Sequence, residues 1–134
     1  MIDCLFAYGT LRAPELLQSV IGRRIEGNPA VLEGYICRQV RHADYPAITQ
    51  RTGSSTQGSV YWGIDAPAWR RLDAFESNLY ERSVVEISHA DAASAMAYTY
   101  VIADAYKNRL TDEVWVLEHF RLSHLNRYLS QFPS

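Results

Sequence analysis

Apolar and polar positions along the chain follow two periods, and the switches between them outline the elements. The first run, Cys4-Leu5-Phe6-Ala7, is apolar without a break and predicts a strand over residues 4–8. Residues 14–21 change to helical spacing, with Pro14 suited to a first turn, Glu15 to its positive end and Gly22 to its stop. Strand character returns at residues 31–37 and 59–64, and in a short extended piece at 45–48, where Pro46 restricts its predecessor. The polar stretch 52–58, rich in Ser, Thr and Gly, predicts a loop. Asp65 is a good N-cap, Pro67 fits a first turn, and Trp69, Leu72 and Phe75 share a face, which predicts a helix over 66–75. Residues 80–87 and 97–102 read as strands. The final stretch, 112–131, reads as one helix with Val116, Phe120, Leu125 and Leu129 as its apolar positions and Asp112 as its cap. The mixed order points to an α+β domain whose sheet can close into a barrel.

Composition narrows the class. A chain of 134 residues corresponds to one domain, residues 1–134, and is long enough to bury a core without staples. Nine Tyr, four Phe and three Trp suit a β-rich core or a lined pocket. A net charge of −2 gives no basic patch for nucleic acid or for an anionic membrane surface. Cys4 and Cys37 both sit in apolar strand contexts and read as buried thiols. Met1-Ile2-Asp3 lacks a basic leader, and no apolar run approaches the ~18 residues of a membrane span, so the expected setting is reducing and cytoplasmic.

Two segments carry candidate chemistry. Tyr8-Gly9-Thr10-Leu11 stands between the first strand and the first helix, where a turn leaves backbone N–H groups free to hold a carboxylate or a phosphate. Glu76 falls at the end of the 66–75 helix, beside Phe75 and Tyr80. The negative end of the helix and burial both disfavour an ionised carboxylate there, which is how a glutamate becomes a general acid/base. The plainer alternative is an exposed glutamate at a helix end. Asp73 lies three residues back and either pairs with Glu76 or makes a polar surface contact. Arg82 neutralises one of these acids, binds substrate, or forms a surface ion pair worth little. Other chemistries lack support. The four histidines have no metal-ligand spacing, Ser54-Ser55 has no strand-to-helix elbow, and Gly9 belongs to no nucleotide-binding pattern.

Taken together, Phe6-Ala7-Tyr8-Gly9-Thr10-Leu11-Arg12 resembles the Tyr-Gly-(Ser/Thr)-Leu signature of gamma-glutamyl cyclotransferase-like proteins. The stretch from Leu72 through Asp73, Phe75, Glu76 and Tyr80 to Arg82 resembles their second signature, with Tyr45-Pro46-Ala47 and Gly58-Ser59-Val60-Tyr61 between in the expected order and Trp115 near the end. The size suits the compact branch that includes gamma-glutamylamine cyclotransferases and plant avirulence-induced-gene proteins. The resemblance implies a small mixed β-barrel with flanking helices and a pocket at one end. It implies release of an amine from a small gamma-glutamyl compound with formation of 5-oxoproline, with no cofactor and no metal. Glu76 would be the catalytic acid/base. Gly9, Thr10 and Leu11 would hold the alpha-carboxylate, Tyr8 and Tyr80 would bound the pocket, and Arg82 would touch substrate or orient Glu76. The family pattern often has glycine after the glutamate, whereas here Ser77-Asn78 follows. A non-catalytic binding module using the same pocket is the alternative, and nothing in the sequence sets an oligomeric state.

Overall fold

The computed structural model describes residues 2–90 and 93–132, so the outermost residues of the expected domain lie outside the described chain. Five strands close into a mixed barrel: β1 (Leu5–Ala7), β2 (Asn28–Gln39), β3 (Pro46–Tyr61), β4 (Tyr80–His89) and β5 (Ala93–Ile102). Their order around the barrel is β1-β3-β2-β4-β5. All neighbours are antiparallel except β1 and β5, which meet in parallel at Leu5 and Tyr98. Helices α1 (Pro14–Ile21) and α2 (Ala66–Glu76) pack outside the barrel, and two short helices, α3 (Leu117–Ser123) and α4 (Leu125–Leu129), follow it. Among the described residues, no helix is long and apolar enough to cross a membrane.

The unbroken apolar run at residues 4–7 has a direct cause. Phe6 points into the barrel, where it packs with Leu32, Ile48, Val60, Val85, Ile87 and Ala97. Leu5 and Ala7 point the other way, into a second core built from Leu16, Leu17 and Ile21 of α1 and Ala68, Trp69 and Leu72 of α2. A strand buried on both faces cannot alternate with polar residues. Gly58 on β3 is required by the same crowding, because a Cβ there would stand 2.3 Å from the Ala7 carbonyl oxygen and 2.9 Å from the Phe6 ring.

Two expectations are corrected. Residues 52–58 are not a loop but the middle of β3, paired with β2 from Asn28 to Gln39 across a register slip at Gly34. Their Ser and Thr side chains suit a solvated strand face, and buried Thr56 donates its hydroxyl to the Tyr35 carbonyl at 2.9 Å. The single helix over 112–131 is also replaced. Residues 110–113 run beside the end of β2, with Thr111 N–H on the Gln39 carbonyl at 3.0 Å and Gln39 N–H on the Glu113 carbonyl at 2.9 Å. Helix begins only at Leu117 and breaks at His124, so Val114 and Val116 are exposed while Phe120 and Leu125 are buried. Both cysteines are free, Cys4 buried and Cys37 partly so.

Gly58→Ala forces the Ala7 carbonyl away from β3 and should destabilise the protein by about 2–3 kcal/mol, as overpacking does at tight core sites. Urea unfolding followed by Trp fluorescence measures this, and a change below about 0.5 kcal/mol would contradict the close approach.

Candidate active site

The turn that follows β1 is one short 3-10 turn, Thr10–Arg12, in which Arg12 N–H reaches the Gly9 carbonyl at 3.0 Å and Ala13 N–H reaches the Thr10 carbonyl at 3.1 Å. The N–H groups of Thr10 and Leu11 precede these bonds and have no acceptor within so short a turn. Gly9 is fixed by a close neighbour, since a Cβ there would meet the Pro46 ring at 3.0 Å. Tyr61 donates its hydroxyl to the Leu11 carbonyl at 2.9 Å and so ties the turn to β3. Thr10, Leu11 and Tyr8 are all buried.

The second candidate segment is the end of α2. Asp65 caps the helix by accepting the Ala68 N–H at 3.0 Å, and Trp69 and Leu72 bury its inner side. Glu76 is its last residue. Ser77 then adopts φ 65°, ψ −167°, a backbone conformation that residues other than glycine rarely hold. The chain turns sharply there into β4, which starts at Tyr80. The missing glycine of the second signature therefore has a structural counterpart: the position is left-handed, and serine occupies it.

One cavity of about 400 Å³ joins the two segments. Tyr8, Gly9, Thr10, Leu11, Glu76 and Tyr80 all line it. Tyr80 donates its hydroxyl to the Pro46 carbonyl at 2.7 Å, and Tyr8 donates to the Tyr100 carbonyl at 2.5 Å, so both phenols are anchored as walls. Glu76 is half-buried and makes no hydrogen bond to protein among the described residues. Enclosure pushes its carboxyl from the ordinary 4.5 up to about 8, and the nearby Asp73 charge adds to the effect. Burial also lifts the Tyr8 and Tyr80 phenols well above 10, and the Glu76 charge contributes in each case.

Six of the seven residues singled out from the sequence line this cavity; Arg82 does not. It lines a neighbouring depression, where its Nε contacts Asp73 Oδ1 at 3.0 Å, and its guanidinium rests against the Trp69 and Tyr98 rings. Of the roles open to Arg82, the structure realises the neutralisation of Asp73. Several cavity residues were not foreseen as such. Tyr100 of β5, Asp44, Arg127, Tyr128 and Gln131 also line the cavity. No spacing rule brings residue 44 to residue 127. Asp44 is held by three C-terminal groups: Trp115 Nε1 donates to its carbonyl at 2.8 Å, Arg127 pairs with its carboxylate, and the His124 ring stands 3.5 Å away.

The raised carboxyl gives a stability prediction. A glutamate whose folded pKa exceeds its unfolded value stabilises the fold fully below about 4.5 and less as pH rises through about 8. Relative to the wild type, Glu76→Gln should therefore gain stability between those limits, at up to about 1.4 kcal/mol per pH unit. Denaturant unfolding of both proteins at pH 5, 7 and 9 checks it; a difference independent of pH would refute a raised Glu76 carboxyl.

The family model for gamma-glutamyl cyclotransferase, AIG2-like, matches residues 5–118. AIG2-like protein A of Arabidopsis thaliana is 27% identical over 129 residues, which are 96% of this chain and 78% of that protein. An Arabidopsis thaliana protein solved in solution superposes with a TM-score of 0.74 at 27% identity, over 97% of this chain and 79% of the other. A solved gamma-glutamyl cyclotransferase shares the fold with a TM-score of 0.66 at 15% identity, over 97% of this chain and 85% of its own. The closed mixed barrel, its flanking helices and a match across most of the sequence lead to one assignment: the chain belongs to the gamma-glutamyl cyclotransferase, AIG2-like family.

Proposed function

We propose that the protein is a gamma-glutamyl cyclotransferase that converts a small gamma-glutamyl compound into 5-oxoproline and a free amine. The observation that carries this reading is the shared cavity: a carboxyl raised to about 8 and the turn at residues 8–11 line the same 400 Å³ space. In this reading the N–H groups of the turn hold the alpha-carboxylate of the glutamyl group, and Tyr8 and Tyr80 confine its carbon chain.

Ionised Glu76 takes a proton from the alpha-ammonium. The freed amine attacks the gamma-carbonyl carbon, and a tetrahedral centre forms. As the ring C–N bond is completed, the bond to the leaving nitrogen breaks, and protonated Glu76 delivers a proton to that nitrogen. Across the whole reaction the attacking nitrogen loses two protons and the leaving amine gains two, so no water, oxidant or co-reactant is consumed. Ring closure is intramolecular, which supplies much of the rate once the chain is folded back. A carboxyl near 8 suits both halves, because neither protonation state is far from the working pH.

Glu76→Gln should lower 5-oxoproline formation by at least about 10²-fold, the usual contribution of a general acid/base, with thermal unfolding at pH 5 little changed. For the wild type, kcat/KM should rise from pH 6 and level off only above about 8, since the base acts when ionised. An assay of a panel of gamma-glutamyl amides and dipeptides for 5-oxoproline tests both. Tight binding across the panel without product would replace the enzyme by a binding module.

A further inference from the structure

A second carboxylate lies about one helical turn before the first. Asp73 precedes Glu76 by three residues on α2, so the two side chains are neighbours on the helix. It lines a separate outer depression together with Arg82, Tyr98 and Ser77. Its surroundings are unusually ordered for a carboxylate with nearly half its side chain exposed. Tyr100 donates its hydroxyl to Asp73 Oδ1 at 2.7 Å, and Arg82 Nε reaches the same oxygen at 3.0 Å. The guanidinium is itself fixed, with the Trp69 ring centre 4.8 Å away and the Tyr98 ring centre 4.5 Å away. An ordinary surface ion pair is loosely held and does not recruit a phenol and two aromatic faces.

Tyr100 links this assembly to the cavity. Its ring lines both the outer depression and the cavity, and its carbonyl accepts the Tyr8 hydroxyl. Around the Glu76 cavity, the end of β1, β4, β5 and α4 present the phenols of Tyr8, Tyr80, Tyr100 and Tyr128, all raised by burial and so neutral near pH 7, and α4 adds the Arg127 guanidinium. Asp44 and Arg127, which also line the cavity, offset each other, with His124 beside them. Among the described residues, Asp73 is thus the fixed charge adjoining Glu76 on its own helix. Asparagine would preserve its size and its hydrogen bond from Tyr100; what aspartate alone supplies is the charge.

We propose that Asp73 is a positioning residue for Glu76: clamped by Arg82 and Tyr100, it holds a fixed negative charge against the proton-transferring carboxyl, and Arg82 meters how much of that charge Glu76 meets. The role in turnover rests on the reading of Glu76 as the acid/base, whereas the electrostatic coupling can be read without turnover.

The experiment is a carbon-13 NMR titration of the Glu76 carboxyl in the free protein, run on the wild type, Asp73→Asn, Arg82→Met and Arg82→Lys, with kcat and KM measured against pH in parallel. Asp73→Asn should move the Glu76 midpoint to lower pH by roughly half a unit to one unit. Arg82→Met should move it to higher pH, and Arg82→Lys should restore it towards the wild type. The kcat profile should follow these shifts while KM changes less than about threefold. An unmoved midpoint in Asp73→Asn, or shifts of the same sign in Asp73→Asn and Arg82→Met, overturns the proposal. If Asp73→Asn does not fold, the Arg82 variants decide: no upward shift in Arg82→Met overturns it. Midpoints that shift as expected in a protein that makes no 5-oxoproline support the Asp73 coupling and defeat the cyclotransferase reading instead.

Discussion

Burial of β1 on both faces is the constraint on which the rest of the structure depends. Only three residues long, it pairs with β3 along its length and touches β5 at Leu5. Phe6 anchors the barrel interior, while Leu5 and Ala7 anchor the helical layer outside. The turn at residues 8–11 therefore extends from a segment that cannot shift without disturbing two cores at once. Preorganised N–H groups act best when no reorganisation accompanies binding, and a doubly buried strand provides that rigidity.

The opposite wall is built under strain. Glu76 places a carboxyl in an enclosure of phenols at the negative end of a helix, and Ser77 follows with a backbone conformation that costs on the order of 1–3 kcal/mol. Both penalties fall on adjacent residues. They are offset at a distance, by the Asp65 cap at the other end of α2 and by Trp69 and Leu72 packed against α1 and the barrel. Unfavourable local terms clustered at a cavity, with favourable ones in the supporting scaffold, are typical of sites shaped for chemistry.

Much of this was legible from local pattern. The apolar run at residues 4–7, the Asp65-Pro67 helix start and the strand signals around residues 59 and 80 all correspond to observed elements. The two candidate segments also meet in one cavity. What local pattern misread were stretches governed by distant pairing. Residues 52–58 have loop composition but are strand because β2 lies alongside, and residues 112–116 fall outside the observed helix, with the end of β2 bonded to the backbone of Thr111 and Glu113. The placement of Arg82 was undecidable for a similar reason: only the fold brings Trp69, Asp73 and Tyr98 around its guanidinium. The Asp44 cluster was invisible, since nothing in the chain announces that Asp44 meets Trp115 and Arg127.

The C-terminal segment is tied into both halves of this arrangement. Leu125 of α4 sits in the same core as Leu5 of β1 and Leu72 of α2, while Arg127, Tyr128 and Gln131 line the cavity with Glu76. Arg127 lines the cavity without joining that core, so substitutions there can alter the cavity wall while the packing of β1 and α2 stays in place.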